Sequence, residues 1–353
     1  MKQPHAVRHF RITMKLVGSP APDDITWLIR CPAFALVACH AKQCVIARRI
    51  ESMCLCGRGK MLDEKANLKG KVAALLGGGG GIGAACTIEL AKNGVDVVVL
   101  DKDGEALEAT RAAVEALGRR CVTFKGDVLS KQDVADFYAL AGKEFDRLDI
   151  VVNVAGGVKQ RDFLTASEEE DEGDIRRNFG YVIQSIRTAV PLIERHDRGG
   201  SIINFTTIEA YRGAAGFSVY AAAKAANANL RRALAVELAT RNIRINEVAP
   251  DNTPSMGNAT ALRPELTESF ADISPKVFEK AVAVQIPRGV QASQEDLADA
   301  VVFLASDLSR SITGIQIHVD GGTAAAGGFL NWPGGGYCPA PLGESLKLLF
   351  PDD

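Results

Sequence analysis

The stretch that decides the fold is Lys71–Gly83, which reads KVAALLGGGGGIG. The residues before the glycines are mostly apolar, as in a strand buried in a parallel sheet, and a helical pattern follows over Ala84–Asn93. Glycines permit a tight turn and let backbone N–H groups approach a phosphate, and a helix N-terminus attracts that anion. A flexible linker is the alternative interpretation. The order of strand, glycine loop and helix predicts a dinucleotide-binding unit.

An acidic residue follows at the distance at which such units bind a ribose. The next predicted strand, Val95–Leu100, leads into Asp101, eighteen residues after Gly83. A carboxylate about 20 residues after the glycine motif hydrogen-bonds the ribose hydroxyls of NAD. The same carboxylate repels the additional phosphate of NADP, and the glycine loop holds no Arg or Lys for it, although Lys102 adjoins Asp101. We therefore predict NAD as the cofactor.

Strands and helices alternate through the residues that follow. The patterns predict helices over Gly104–Leu117 and Lys131–Phe145. They predict strands over Cys121–Lys125 and Leu148–Val152. Such alternation forces right-handed crossovers and a parallel sheet. We predict an α/β fold in which a doubly wound (Rossmann) parallel sheet carries helices on both faces. Residues 61–322 are expected to form a single domain, because no repeat or change of composition divides them.

The composition is that of an ordinary globular protein. The 353 residues are 47% hydrophobic and 24% charged, with a formal net charge of −2. This charge gives no reason to expect nucleic acid as a partner. No apolar run reaches the ~18 residues that a membrane-spanning helix requires. We expect a cytoplasmic protein that acts on a small molecule, with neither nucleic acid nor a membrane as partner.

The first 60 residues differ from the rest of the chain. They carry ten Lys or Arg against three Asp or Glu, and five of the eight cysteines. No regular period runs through them. We predict that residues 1–60 are a poorly structured extension or a mis-assigned start, with Met61 as the working start. A targeting peptide, an ordered accessory piece and a Cys/His metal site stay open as alternatives. Cys54 and Cys56 do not match zinc-ligand spacing, so we predict no metal site.

Several motifs, in their order and intervals, resemble those of the short-chain dehydrogenase/reductase family. The loop Leu76–Gly83 is similar to the family pattern T-G-x-x-x-G-x-G, with Leu76 in place of the threonine. The resemblance runs from about Leu68 to Gly322 and includes the family's Asp-Val pair, its N-N-A-G turn and its closing strand. It implies that NAD is bound by Gly77, Gly81, Ile82, Gly83, Asp101, Asp127, Val128, Asn153, Tyr220, Lys224 and Thr253.

A tyrosine and a lysine follow a predicted strand that ends in hydroxyl residues, Ser201–Thr207. Tyr220 and Lys224 lie one turn apart on one face of an alanine-rich helix. The pKa of a free phenol, about 10, is too high for a good base at neutral pH, and a nearby ammonium lowers it. The pair is therefore expected to take the proton of an alcohol while hydride leaves for a nicotinamide. An ordinary half-buried pair is the alternative.

The resemblance implies the remaining catalytic roles and the assembly. Thr207 stands at the position of the family's serine, which holds the substrate oxygen, and Thr206 is the alternative. Asn178, in a helix predicted over Asp174–Leu192, matches the asparagine that links the lysine to solvent. The predicted catalytic group is Asn178, Thr207, Tyr220 and Lys224. Family members of this kind imply a homodimer or homotetramer.

The substrate side of the predicted site is formed by residues 254–285 and the tail. Asp251 stands where the family has glycine. The apolar residues expected to line a pocket, or else to pack on the sheet, are Leu262, Leu266, Phe270, Ile273, Val277 and Phe278. The tail, residues 323–353, is expected near the substrate site or a subunit interface.

The predicted function is hydride transfer between NAD and a hydrophobic secondary alcohol or ketone, with alicyclic and hydroxysteroid alcohols as candidates. The alternatives are an NADPH-dependent ketoreductase and a non-catalytic protein that senses a dinucleotide.

Overall fold

The computed structural model describes residues 13–17, 26–31, 34–40, 62–255, 261–262, 268 and 273–349. The chain separates into two compact units, Met1–Leu62 and Asp63–Asp353. The backbone of the first unit contains an antiparallel sheet with the strand order β1-β2-β3. Its strands are β1 (Thr13–Val17), β2 (Thr26–Cys31) and β3 (Phe34–His40). The sequence pattern predicted no regular element here. The interpretation of residues 1–60 as an extension stays a prediction.

The second unit is built on a seven-stranded parallel sheet with the order β10-β9-β8-β7-β4-β5-β6. Its strands are β4 (Val72–Leu76), β5 (Asp96–Asp101), β6 (Cys121–Lys125), β7 (Ile150–Asn153), β8 (Gly200–Phe205), β9 (Ile243–Pro250) and β10 (Gln316–Val319). The predicted doubly wound fold is confirmed. The strand order reverses between β4 and β7, and ligands of such sheets bind in the crevice that opens there, beyond the carboxyl ends of the strands.

The described part of the second unit contains helices, of which some pack on each face of this sheet. They are α1 (Leu62–Ala66), α2 (Gly81–Lys92), α3 (Gly104–Ala116), α4 (Lys131–Glu144), α5 (Glu168–Ile175), α6 (Tyr181–Ile193), α7 (Ser218–Ala239), α8 (Pro275–Gln285), α9 (Gln294–Ala305), α10 (Thr323–Ala326) and α11 (Glu344–Leu349). Among the described residues, no helix combines the length and the apolar character that a bilayer crossing requires.

The helix predicted over Asp174–Leu192 begins earlier than its prediction. Ser167 caps it by accepting a hydrogen bond from the Glu170 N–H, and the Glu170 carboxylate accepts one from the Ser167 N–H. The acidic residues Glu168–Glu172 therefore form the first turns of the helix, where carboxylates are favoured by the helix dipole. Between α5 and α6 the chain passes through a π-helical turn, Arg176–Gly180, without leaving helical backbone angles at its flanking residues.

The core lies in two layers, one on each side of the sheet. Side chains alternate along a strand, so Ala73 and Leu75 of β4 face one layer while Val72, Ala74 and Leu76 face the other. The first layer packs against α2, α3 and α9, and the second against α4, α6 and α7. This double burial explains why the strands read as continuous apolar runs in the sequence.

The tail forms a small element of its own. Strands β11 (Leu330–Trp332) and β12 (Gly336–Cys338) make an antiparallel hairpin. The indole N–H of Trp332 donates to the Cys338 carbonyl at 3.0 Å, which closes the hairpin. The Tyr337 hydroxyl donates to the Pro287 carbonyl at 3.1 Å, which anchors it next to the end of α8.

Candidate active site

The glycine loop between β4 and α2 requires glycine at its two ends. Gly77 has a φ of +83°, and a Cβ there would lie 2.6 Å from the Ala155 nitrogen. A Cβ at Gly83 would lie 1.8 Å from the Gly77 carbonyl oxygen. These contacts are with backbone atoms, so no side chain can rotate to relieve them. The loop is therefore drawn tightly against β7 and against the first turn of α2.

Two threonines brace this loop, although the family's loop threonine is replaced by Leu76. The Thr87 hydroxyl in α2 lies 3.0 Å from the Gly78 carbonyl and 2.8 Å from the Gly83 carbonyl. The Thr110 hydroxyl in α3 donates to the Gly79 carbonyl at 2.9 Å. Leu76 itself is buried in the core. The sequence analysis missed both threonines, since neither lies within the glycine motif.

Asp101 lies at the end of β5 beside the loop. Its Oδ2 accepts a hydrogen bond from the Gly79 N–H at 3.0 Å, and its Oδ1 accepts one from the Asp103 N–H at 3.2 Å. Both contacts hold the carboxylate at the edge of a cavity of about 1110 Å³, which Lys102 and Ala106 line as well. The position is suitable for accepting hydrogen bonds from ribose hydroxyls.

The same cavity continues along the carboxyl ends of the strands. Gly81, Ile82 and Gly83 line it at the helix end, and Asp127 and Val128 line it beyond β6. The Asp127 Oδ1 accepts a hydrogen bond from the Leu129 N–H at 2.9 Å, so part of this carboxylate shapes its own turn.

Asn153 does not line the cavity; it lies buried at the end of β7. Its amide nitrogen donates to the Asn204 side chain at 2.8 Å, and its Oδ1 accepts a hydrogen bond from the Ser185 hydroxyl at 2.7 Å. Ser185 in turn shares a hydrogen bond of 2.7 Å with the Tyr138 hydroxyl. The network ties β7 to β8, α4 and α6 beneath the cavity floor.

Thr207, Tyr220 and Lys224 are brought together at the opposite part of the cavity from Asp101. Thr207 follows β8 and caps a short 3₁₀ helix, Ile208–Ala210. Tyr220 lies in the first turn of α7, and the Lys224 Nζ is 5.9 Å from the centre of its ring. The Lys224 Nζ also donates to the Phe205 carbonyl at 2.9 Å, which fixes the helix to the end of β8.

Burial sets the protonation of this group. It raises the pKa of the Tyr220 hydroxyl, the charge of Glu209 raises it further, and a hydrogen bond with Thr207 opposes both. It lowers the pKa of the Lys224 ammonium to about 8, against the opposing charge of Glu247. From the sequence we expected only the effect of the ammonium on the phenol. The larger influence on Tyr220 is desolvation, because protein surrounds most of this side chain at the cavity wall.

Asn178 lies in the π-helical turn and clamps the loop after β7. Its Nδ2 donates to the Gly157 carbonyl at 2.9 Å, and its Oδ1 accepts from the Gly157 N–H at 3.2 Å. The Asn178 carbonyl accepts a hydrogen bond from the Asn227 side chain at 2.5 Å. A Cβ at Gly156 would lie 3.1 Å from Asn178 Oδ1 and 3.4 Å from Lys224 Nζ, so that glycine separates the two groups.

Two buried charges between α7 and β9 were not predicted from the sequence. Glu247 on β9 lies 3.1 Å from the Arg231 Nε, and the two side chains are 0% and 3% exposed. Burial raises the pKa of Glu247 to about 7, against the charges of Arg231 and Lys224. No local spacing relates these residues, since they meet only when α7 packs on β9.

The substrate end of the cavity differs from its prediction. Leu262 lines it, whereas Ile273, Val277 and Phe278 do not and are substantially exposed. Leu266 and Phe270 lie outside the described residues. The structure adds the charged side chains of Glu209, Arg212 and Asp251, together with Asn252 and Ser255. Thr253 is buried beneath this wall, with its N–H donating to the Asp251 carbonyl at 2.9 Å.

The described tail residues do not line this cavity. Among the described residues, no group of three or more His, Cys, Asp or Glu side chains is arranged to hold a metal ion.

Comparisons with known proteins identify the family of the chain. The chain matches the family described as Enoyl-(Acyl carrier protein) reductase over residues 77–324. The short-chain reductase protein NovJ of Streptomyces niveus is 36% identical, over 73% of this chain and 96% of that protein. L-rhamnose 1-dehydrogenase (NAD(P)(+)) of a Sphingomonas species is 32% identical, over 72% of this chain and 96% of that protein.

A solved structure shares the fold of the second unit. Carveol dehydrogenase from Mycobacterium avium, in complex with NAD, is similar with a TM-score of 0.69 and 28% identity. The match covers 74% of this chain and 99% of that one. The matched residues include the glycine loop and the cavity wall that carries the hydroxyl, phenol and ammonium groups. The chain therefore belongs to the short-chain dehydrogenase/reductase family of oxidoreductases.

Proposed function

We propose that the protein is an NAD-dependent dehydrogenase that oxidises a secondary alcohol carried on a largely hydrophobic, alicyclic framework. The observation that carries this proposal is the meeting of Thr207, Tyr220 and Lys224 on one wall of a cavity whose far end is lined by Asp101. A hydride acceptor that spans the cavity would present its reactive ring to these three groups.

The cofactor part of the cavity fits a dinucleotide. Gly77, Gly81, Ile82 and Gly83 would hold the pyrophosphate at the N-terminus of α2, because the glycines carry no side chain that would keep an anion from the backbone N–H groups. Asp101 would accept hydrogen bonds from the ribose hydroxyls of NAD. Its charge would repel the additional phosphate of NADP, which favours NAD as the cofactor. The NAD complex of the carveol dehydrogenase supports this choice. The rhamnose dehydrogenase is named for NAD(P), and the parallel assay with NADP distinguishes the two cofactors for this chain.

The remaining cofactor contacts follow from the same placement. Asp127 and Val128 would contact the adenine, and Lys224 would bind the nicotinamide ribose. Asn153 and Thr253 would act from beneath the cavity by holding its floor. Asn178 would connect Lys224 to solvent while it holds the loop at Gly157.

The catalytic residues would divide the reaction between them. Thr207 would hold the substrate oxygen next to the Tyr220 hydroxyl. Tyr220, as phenolate, would take the proton of the alcohol, and the Lys224 ammonium would stabilise that phenolate against the effect of burial. Bound NAD would supply the hydride acceptor.

The substrate cavity offers both apolar and polar surface. Phe217, Ala261 and Leu262 line its apolar part, where an alicyclic ring would pack. The assembly is proposed to be a homodimer or homotetramer, formed in part through α7, whose Val236 side chain is 77% exposed.

The test follows NADH formation by the full-length protein over a panel of cyclic and steroidal secondary alcohols, with NADP in parallel. Tyr220→Phe is expected to abolish turnover, because it removes the base. Tyr211→Phe is the matched control, since its hydroxyl bonds Gln316 outside the cavity. Tight NAD binding without turnover of any alcohol, or of the matching ketones with NADH, would favour the dinucleotide-sensing alternative. Equal use of NADP would contradict the role of Asp101.

A further inference from the structure

A carboxylate lies beside the hydroxyl that is proposed to hold the substrate oxygen. Glu209 follows Thr207 by two residues, in the short helix that Thr207 caps, and both residues line the cavity. The Thr207 hydroxyl donates a hydrogen bond to the Glu209 Oε2. A hydroxyl has one proton to donate, so in this arrangement Thr207 has none for a substrate oxygen.

Arg212 joins Glu209 to a second carboxylate on the same wall. Its Nη2 lies 2.7 Å from the Glu209 Oε1 and 3.4 Å from the Asp251 Oδ1. The Asp251 side chain is only 8% exposed. One guanidinium faces two carboxylates, so the ionised cluster carries an excess of one negative charge. This wall would repel an anionic substrate, whereas neutral hydroxyl groups can donate hydrogen bonds to it.

The placement of the two acceptors restricts where a substrate hydroxyl can lie. In the proposed function Thr207 and Tyr220 bind the reacting oxygen, and the Glu209 carboxylate accepts a hydrogen bond from Thr207. A substrate hydroxyl that takes the place of Thr207 on Glu209 therefore lies close to the reacting oxygen, because both oxygens surround the one Thr207 hydroxyl. Hydroxyls on adjacent carbons meet that requirement.

We propose that the substrate is a neutral vicinal diol, a class that deepens and rests on the proposed function. The second hydroxyl donates to Glu209 and displaces the Thr207 hydroxyl, which then donates to the reacting oxygen. The carbinol C–H bond breaks and its hydride passes to NAD. The O–H proton passes to the Tyr220 phenolate as the C=O bond forms. The products are an α-hydroxy ketone, NADH and one proton.

The first experiment compares cis- and trans-1,2-cyclohexanediol with cyclohexanol as substrates of the full-length protein and NAD. A site built to bond a substrate hydroxyl can reject an analogue that lacks it by ~10⁴-fold. We expect kcat/KM for the better diol isomer to exceed that for cyclohexanol by at least ~100-fold. Equal values for the diols and cyclohexanol would overturn the diol proposal and leave the dehydrogenase proposal intact.

Glu209 variants then test the exchange of hydrogen bonds. Glu209→Leu removes the hydrogen-bond acceptor, so kcat/KM for the diol should no longer exceed that for cyclohexanol. Turnover of cyclohexanol should rise, because the Thr207 hydroxyl is free to donate to the reacting oxygen and the negative charge near Tyr220 is gone. The preference of Glu209→Gln for the diol over cyclohexanol should lie between the preferences of the wild-type protein and of Glu209→Leu. The matched control is Glu194→Gln, which breaks an exposed pair with Arg241 at 3.1 Å. A Glu209→Leu protein that keeps the preference for the diol would contradict the proposal.

A binding measurement separates this proposal from the proposed function. The Tyr220→Phe protein with bound NAD cannot take the proton, so it reports affinity alone. Its Kd for the better diol should be at least ~10-fold lower than its Kd for cyclohexanol, and Glu209→Leu should remove the difference. If the diol binds in this way and the wild-type protein never oxidises it, the dehydrogenase proposal fails and the subsite stands. If the diol and cyclohexanol bind alike, the subsite fails.

Discussion

Gly83→Ala should distort the glycine loop, and the contacts at this position set the size of the effect on NAD binding and stability. A methyl carbon at this position would lie 1.8 Å from the Gly77 carbonyl oxygen, 2.8 Å from its carbon and 2.9 Å from the Gly78 Cα. The nearest atoms are all backbone, so the loop itself must move by more than an ångström. Overpacking of a tight interior costs about 1–3 kcal/mol. A displacement of about 1 Å in a binding group costs roughly 100-fold in function.

We therefore expect the Kd for NAD to rise by about 100-fold in Gly83→Ala, with a loss of about 2 kcal/mol in the free energy of unfolding. Quenching of protein fluorescence by NADH gives the first quantity, and urea denaturation gives the second. The control is Gly70→Ala, which places a side chain on a residue whose φ is already +78°. The backbone is strained there, but no atom lies within 4 Å of the added Cβ. This variant should lose about 1 kcal/mol of stability and keep its NAD affinity. Wild-type affinity in Gly83→Ala would refute the reasoning.

Three further changes probe the loop, the cofactor choice and the lysine. Thr87→Val should raise the Kd for NAD by about 10-fold, because the one hydroxyl proton that the Gly78 and Gly83 carbonyls share is lost; an unchanged Kd would assign the bracing to Thr110 alone. Asp101→Ser should lower the ratio of NAD to NADP activity by at least ~10-fold, measured as kcat/KM, since the carboxylate that repels the added phosphate is gone. The pKa of Lys224 lies at about 8, below its usual value, so its charge is present below that pH and lost above it. The Tyr220 phenolate becomes more populated as the pH rises, so kcat/KM for alcohol oxidation should rise up to about pH 8 and level off above it, where loss of the Lys224 charge offsets that gain. In Lys224→Arg the rise should continue above about pH 8; an identical alkaline limb in both proteins would exclude Lys224 as its cause.

The sheet could be predicted because its strands are buried on both faces. Such strands read as unbroken apolar runs, and the prediction of Cys121–Lys125 agrees with β6 at both ends. The start of α5 was missed because the residues after its capping serine, Ser167, are acidic rather than apolar, and the prediction began only at Asp174. Local charge pattern alone does not separate a helix's first turn from the residues before it.

The hydroxyl, phenol and ammonium of the candidate site could be predicted because they depend on short spacings. Tyr220 and Lys224 are one turn apart, and Thr207 ends a strand next to their helix. The wall formed by Glu209, Arg212 and Asp251 depends instead on a long-range approach, since Asp251 follows a different strand from Glu209. The apolar pocket predicted from residues 254–285 rested on composition, and composition does not say which side of α8 faces the cavity.

The π-helical turn Arg176–Gly180 makes the length of one helix a determinant of the site. Such a turn holds one residue more than the α-helix would, and a single residue corresponds to about 100° of rotation. Asp174, just before the turn, lies 2.5 Å from Arg161 and 3.2 Å from Arg177. Loss of one residue here would swing Asp174 away from Arg161 or carry Asn178 away from Gly157. Related chains that differ by a single insertion in this helix would thus differ in how the loop over the cavity is held, even where every side chain in the cavity is the same.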